Sequence, residues 1–182
     1  ITPANSGRGF AIVGIGASAG GLRAIEEFFD VMPSDSGAAF VLVQHLSPDY
    51  KSLMNELLER RTEMQVQRVT DGVALKPNTV FLIPPGQNLF LEGNQLRLVR
   101  QDRNQGYQPH FPIDLFFQAI ATEQGTHTIG IILSGTGSDG SRGIQEISEA
   151  GGLVMAQDPK TAEFDGMPLS AIATGIEIGE HT

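Results

Sequence analysis

Apolar residues fall into two alternating kinds of run along this chain. Phe10 to Ile15, Ala38 to Val43, Val80 to Ile83, Thr128 to Leu133 and Gly152 to Ala156 are short, nearly unbroken runs with the length of buried strands. Between them, apolar residues recur at helical spacing: Leu22, Ile25, Phe28/Phe29 and Met32, then Leu53, Leu57 and Leu58 within Lys51 to Arg61, then Ile113 to Thr122 and Ile144 to Ala150. Strands alternating with helices predict an α/β fold, doubly wound, with a mainly parallel sheet and helices on both faces. Ser47-Pro48 opens a turn before the second helix, Met64-Gln65-Val66 is a short strand candidate, and Asp71-Gly72 marks a turn. Asn88 to Leu91 and Gln95 to Val99, joined across Glu92-Gly93-Asn94, predict a small β-hairpin addition. Gln101 to Phe111 is polar, irregular and long enough to cover a site. Ala171 to Thr174 is expected to close the ordered part, with a final helix cut short at Thr182.

The first strand-to-helix junction carries the most chemistry. Gly16-Ala17-Ser18-Ala19-Gly20 fits G-x-S-x-G, in which small neighbours permit a sharp turn that lifts the serine Oγ clear and leaves backbone N–H groups free to hold an oxyanion. The same stretch, Gly14-x-Gly16-x-x-Ala19, also fits the dinucleotide fingerprint, which requires an acidic residue at the end of the second strand to hold the ribose. That strand ends in Gln44-His45 instead, and Asp35 lies at its other end. A third reading makes the glycines a close-packing turn.

Ser18, His45 and Asp139 each follow the carboxyl end of a predicted parallel strand, the edge at which open α/β sheets assemble their sites. A serine hydroxyl becomes a useful nucleophile when an imidazole takes its proton, and a carboxylate fixes that imidazole's tautomer. Each residue also has an ordinary structural use. Ser18 could cap its helix, His45 could bond a backbone carbonyl, and Asp139, in Ser138-Asp139-Gly140-Ser141, could be a turn or capping residue. His127 and His181 look incidental, and His110 lies in the irregular segment.

Composition narrows the alternatives. The 182 residues, 40% of them hydrophobic, suffice for one domain. The chain contains no cysteine, which excludes disulfides, thiolate metal sites and cysteine nucleophiles. A net charge of −9 argues against nucleic acid as a partner, the nearest basic cluster being Arg60-Arg61 at a helix end. No apolar stretch approaches the roughly 18 residues of a membrane span, and Ile1 to Gly7 lacks signal-peptide character. Cytoplasm is the default location, and a start at Ile1 suggests a piece of a longer protein.

Six blocks stand in register from about Phe10 to Ile178: Ile15-Gly16-Ala17-Ser18-Ala19-Gly20-Gly21, Val43-Gln44-His45-Leu46, Phe81-Leu82-Ile83-Pro84-Pro85-Gly86, Pro112-Ile113-Asp114-Leu115-Phe116-Phe117, Leu133-Ser134-Gly135-Thr136-Gly137-Ser138-Asp139-Gly140 and Asp165-Gly166-Met167-Pro168. Together they resemble the catalytic domain of CheB-type chemotaxis protein-glutamate methylesterases. The resemblance implies such a domain over residues 8–182, with 1–7 as a flexible lead, and a triad of Ser18, His45 and Asp139. It implies hydrolysis of glutamyl methyl esters on the cytoplasmic helices of chemoreceptors, with deamidation of receptor glutamines as a related activity, and no cofactor or metal. The backbone N–H of Ala19 and another from the glycine-rich turns are the expected oxyanion donors, with Thr136 and Met167 as pocket candidates. Phosphorylation-controlled members carry a receiver domain before the catalytic one, where this chain has room for only a few residues, so the resemblance leaves its regulation open. The spelling from Ile12 to Gly21 is similar to that of large signalling proteins that fuse methylesterase and methyltransferase modules, so other domains of the same polypeptide are expected partners. Ala19 stands where the chemotaxis enzymes often carry threonine. The competing expectation is a non-catalytic regulatory or interaction module of a multidomain signalling protein.

Overall fold

The computed structural model of the chain describes residues 9–45, 53–102 and 110–181. The N-terminal lead, the Ser47-Pro48 turn, the first residues of the helix expected from Lys51, Leu46 and most of the irregular segment after Gln101 lie outside the described residues. Strands β1 (Ile12–Ala17), β2 (Ala39–Gln44), β3 (Gln65–Arg68), β5 (Thr79–Leu82), β8 (Thr128–Ile132), β9 (Leu153–Gln157) and β10 (Gly179–His181) form one seven-stranded sheet in the order β10-β9-β8-β1-β2-β5-β3. Every pairing within it is parallel. A second sheet joins β4 (Val73–Ala74), β7 (Gln95–Arg100) and β6 (Gln87–Glu92) in antiparallel fashion. The expected hairpin is therefore present, enlarged by β4. Its register pairs Glu92 with Gln95, so the connection is the two-residue loop Gly93-Asn94.

Helices cover both faces of the main sheet. On one side lie α1 (Gly21–Val31) and α2 (Met54–Glu59), where Ala24, Ile25, Phe29, Met54 and Leu58 pack on Val13, Ile15, Phe40 and Leu42. Arg61, just beyond α2, reaches Glu26 at 3.3 Å and Asp30 at 3.4 Å on α1, so this basic residue serves the helix pair. On the other side lie α3 (Pro112–Gln124), α4 (Ser141–Glu149), α5 (Gly166–Ile172) and the small sheet. The spacing Ile113, Phe116, Phe117, Ile120 gives α3 an apolar stripe that is completely buried. Burial of such side chains contributes about 1.5–3 kcal/mol each.

Glycines in two adjacent strands make that stripe fit. Gly14 and Gly130 are register partners across β1 and β8. A Cβ on Gly14 would lie 2.7 Å from the Phe117 ring, and one on Gly130 would lie 3.3 Å from it, so the two glycines form a slot for the ring. Gly16 does the same for Ile113, whose Cγ2 would be 2.6 Å from an added Cβ. The Gly-x-Gly that fits a dinucleotide fingerprint is thus a pair of strand positions used to bring α3 close to the sheet.

The C-terminal region departs from expectation. Residues 166–172 form α5, which runs into the Ala171 to Thr174 segment, and residues 179–181 form an edge strand where a helix was expected. Among the described residues no helix is long and apolar enough to cross a membrane. A groove of about 720 Å³ runs along the α1 side of β8 and β9, lined by Phe28, Met32, Ile129, Ile131 and Met155 among others. Ser18, His45 and Asp139 do not line it.

Candidate active site

Ser18, His45 and Asp139 follow β1, β2 and β8, which are three adjacent strands. From β1 the chain passes through β2 to β3 at the sheet edge, inserts β5 between them, and then returns to β8 on the opposite flank of β1. The β8/β1 boundary is therefore the topological switch point, where a crevice opens outside the carboxyl ends of the strands.

The Ser18 turn is held on every side. Its N–H donates to the Ser134 carbonyl at 3.0 Å, and its own carbonyl accepts from the Gly21 N–H at 3.0 Å, closing a tight turn. Gly20 makes that turn with a left-handed φ of 68° and serves as the α1 N-cap, with no side-chain capping bond. The Ser18 hydroxyl is thus not used to cap α1; its Oγ instead accepts from the Thr136 N–H at 3.1 Å. Gly135 allows this approach, since a Cβ there would lie 2.7 Å from Ser18 Oγ and would also strike the Met167 sulfur.

Ser134 and Gln157 complete the scaffold, and neither stood out in the sequence. Ser134 Oγ donates to the Ala19 carbonyl at 2.9 Å and accepts from the Phe164 N–H at 3.0 Å. Its N–H donates to Gln157 Oε1 at 2.9 Å. The loops after β1, β8 and β9 are thereby tied into one unit around the serine. Ser134 is 1% exposed, and a hydroxyl so deeply placed requires such partners. Met167 is fully buried, with its N–H on the Gly135 carbonyl at 2.8 Å, so it forms the floor behind Gly135. Thr136 and Ala19 are exposed at the surface of the site.

His45 Nε2 lies 2.6 Å from Asp139 Oδ2. The imidazole is partly open to solvent at 37% exposure, whereas the carboxylate is 5% exposed. Asp139 also accepts from the Ile113 N–H on Oδ2 at 3.0 Å and from the Asp114 N–H on Oδ1 at 2.9 Å. It is a capping residue, as Asp in a turn often is, but it caps α3, which precedes it in the chain. Held in this way, the carboxylate engages Nε2 of the imidazole and leaves Nδ1 as its other ring nitrogen. The His45 backbone N–H meets the Ala17 carbonyl at 3.3 Å, one residue before the serine. Among the described hydrogen bonds none joins Ser18 to His45, and in unliganded sites such bonds are often long or misaligned. His110 is exposed just before α3, and His127 lies in a single 3-10 turn before β8, away from these loops.

Asp114 is the further ionisable group of the site. Burial pushes its carboxyl above the ordinary carboxylate range, aided by the nearby Asp139 charge and opposed by N–H bonds from Gly143 and Gly140. Among the described residues no three His, Asp or Glu side chains are grouped to hold a metal ion.

Fold and site together define a doubly wound α/β domain in which Ser18, His45 and Asp139 follow three adjacent strands at the switch point, with His45 on Asp139. The chain belongs to the CheB methylesterase family, whose model matches residues 13–180. It is similar to the crystal structure of the Thermotoga maritima CheB methylesterase catalytic domain, with a TM-score of 0.81 at 30% identity, covering 92% of this chain and 90% of that one. A protein-glutamate methylesterase/protein-glutamine glutaminase 2 of Xanthomonas oryzae pv. oryzae is 36% identical over 167 residues, 90% of this chain and 46% of the relative. An uncharacterized 104.1 kDa protein of Rhodobacter capsulatus is 50% identical over 123 residues, 68% of this chain and 13% of the relative. The chain thus spans less than half the length of these two relatives.

Proposed function

We propose that this domain hydrolyses methyl esters of glutamate side chains on the cytoplasmic helices of chemoreceptors, with Ser18 as nucleophile, His45 as acid and base, and Asp139 as the group that orients His45. The observation that carries the proposal is the meeting of His45 Nε2 with buried Asp139 at 2.6 Å, beside a turn that presents Ser18 Oγ to the Thr136 N–H at 3.1 Å. The names of the curated relatives support the substrate class.

In this reading Ser18 Oγ attacks the ester carbonyl carbon and its proton passes to His45. The tetrahedral oxyanion is held by the backbone N–H groups of Ala19 and Thr136, donors worth about 2.7–4 kcal/mol each in comparable sites. Collapse breaks the carbon–oxygen bond to the methoxy group, which leaves as methanol with the proton from His45. Water then gives a proton to His45 and attacks the glutamyl–Ser18 ester, and the proton returns to Ser18 as the glutamate carboxylate departs. Deamidation of receptor glutamine follows the same path, with ammonia as leaving group. None of these steps calls for a metal or cofactor.

The family's substrates support a cytoplasmic location. The 104.1 kDa relative, matched over 13% of its length, supports a setting in which other domains of one polypeptide accompany this one. Residues 8–182 are the proposed catalytic domain. The test is incubation of the chain with a receptor cytoplasmic fragment methylated on glutamate, with methanol quantified over time. Methanol equal to the esters lost is the expected result; unchanged esters on several receptor fragments would leave the regulatory-module reading in its place.

A further inference from the structure

The first turn of a helix exposes N–H groups that need acceptors, usually supplied by the side chain of the residue at its own start. Neither α3 nor α4 has such a cap: Phe111 precedes α3 and Gly140 precedes α4, and neither makes a side-chain capping bond. The acceptors are exchanged instead. Asp139, immediately before the α4 cap, accepts from Ile113 and Asp114 at the start of α3. Asp114, in the first turn of α3, accepts on Oδ1 from the Gly140 N–H at 2.9 Å and the Gly143 N–H at 2.8 Å at the start of α4. Four N–H bonds to two carboxylates thus lock the two helix starts together. Gly140, next in sequence to Asp139, has a left-handed φ of 95° and is wedged between Ile132 and Ile113.

We propose that Asp114 is a positioning residue for catalysis, holding the Gly140 N–H so that Asp139 keeps its carboxylate on His45. This rests on the esterase reading above. Asp139 Oδ2 is shared between the Ile113 N–H and His45 Nε2, so its direction depends on the separation of the two helix starts. That separation is what the Asp114 carboxylate sets. Without it, α4 and the loop from Ser134 to Gly140 lose two anchors close to Asp139, while the Ser18 turn keeps its own bonds to Ser134 and Gly21.

The test compares the wild-type chain with Asp114→Ala, Asp114→Asn and a control, Ile147→Ala, that removes a buried side chain from α4 without touching the exchange. Two readouts are taken: methanol release, resolved into kcat and KM, and the proton NMR resonance of the His45 Nε2–H, assigned by its loss in His45→Gln. Asp114→Ala is expected to lower kcat by about 10- to 100-fold with little change in KM, the size of effect that misplacing a catalytic group produces. Its His45 resonance is expected to shift or broaden. Asp114→Asn, which retains an acceptor oxygen, is expected to recover most of the rate and the resonance, and Ile147→Ala to retain both. An unchanged resonance in folded Asp114→Ala, or an equal loss in Ile147→Ala, would overturn the proposal. The resonance reports on the Asp139 contact even if the wild-type chain releases no methanol, so failure of the esterase reading is seen separately.

Discussion

Asp139 Oδ2 sits 2.6 Å from His45 Nε2 and also takes the Ile113 N–H at 3.0 Å, so one oxygen serves both the proposed catalytic base and the start of α3. The carboxylate's catalytic and structural contributions can be separated by substitution. Asp139→Asn keeps an oxygen to receive N–H groups but presents the wrong partner to imidazole. Its kcat is expected to fall on the order of 10⁴-fold, as in the serine-protease triad. Asp139→Ala should add a stability loss of about 0.5–2 kcal/mol for the lost cap. Denaturant unfolding of both variants beside methanol release checks the split; equal stability in the two would remove the capping role.

Gly135 is expected to be intolerant of even a methyl group. A Cβ there lies 2.7 Å from Ser18 Oγ and against the Met167 sulfur. Gly135→Ala should destabilise the fold by about 1–3 kcal/mol through overpacking. Adding Met167→Ala should restore part of that stability by opening the floor, yet leave activity low, because the contact with Ser18 remains. Recovery of full activity in the double variant would show that the serine side of the contact does not matter.

The slot for Phe117 gives a third expectation. Gly14→Ala sets a methyl 2.7 Å from a ring that is completely buried. A loss of about 1–3 kcal/mol is expected. Phe117→Leu should relieve it, so the two changes should couple in a double-mutant cycle. Additive effects would mean that the ring has room to move aside.

Asp114 makes one component of stability run against the usual acid sensitivity of carboxylates. Burial raises its folded-state pKa above the ordinary 3.8, so between the two values the folded chain retains a proton that the unfolded chain has lost. This component of stability is therefore highest below the unfolded pKa, falls as pH rises through the window above 3.8, and stays reduced beyond the folded pKa. The stability difference between wild type and Asp114→Asn, followed by chemical denaturation across the acid range, should shift in favour of wild type as pH is lowered. A difference independent of pH would mean that burial does not raise this carboxyl.

Much of the sheet was legible because its strands are buried on both faces and so read as apolar runs: β1, β2, β5 and β8 lie within a residue or two of their expected positions. The less regular elements were harder to see. α5 is short, contains Gly166 and Pro168, and buries Met167, Pro168 and Ala171, a set too small to mark a helical period. β10 is Gly-Glu-His at the sheet edge, with no apolar run to mark it. The three candidate residues Ser18, His45 and Asp139 were singled out by type, and their positions after β1, β2 and β8 were legible. Their contacts were not, because they join distant parts of the chain: Ser18 meets Thr136 across 118 positions, and Asp139 meets the α3 start across 25 and 26. Asp139 could be read as a triad member or as a turn or capping residue, and only the packing of α3 against α4 shows that it caps the helix before it. Gly14 and Gly16 invited a cofactor reading because a glycine that admits a ring and a glycine that admits a pyrophosphate are the same letter.

Ser18 is proposed to perform the first step of ester hydrolysis, and this role decides the rest. It is tested most directly by methanol release from a methylated chemoreceptor cytoplasmic fragment, measured side by side for the wild-type chain and Ser18→Ala. Release by the wild type that disappears in the variant, with both proteins folded, is the predicted result. Equal release by both would contradict the assignment of the nucleophile.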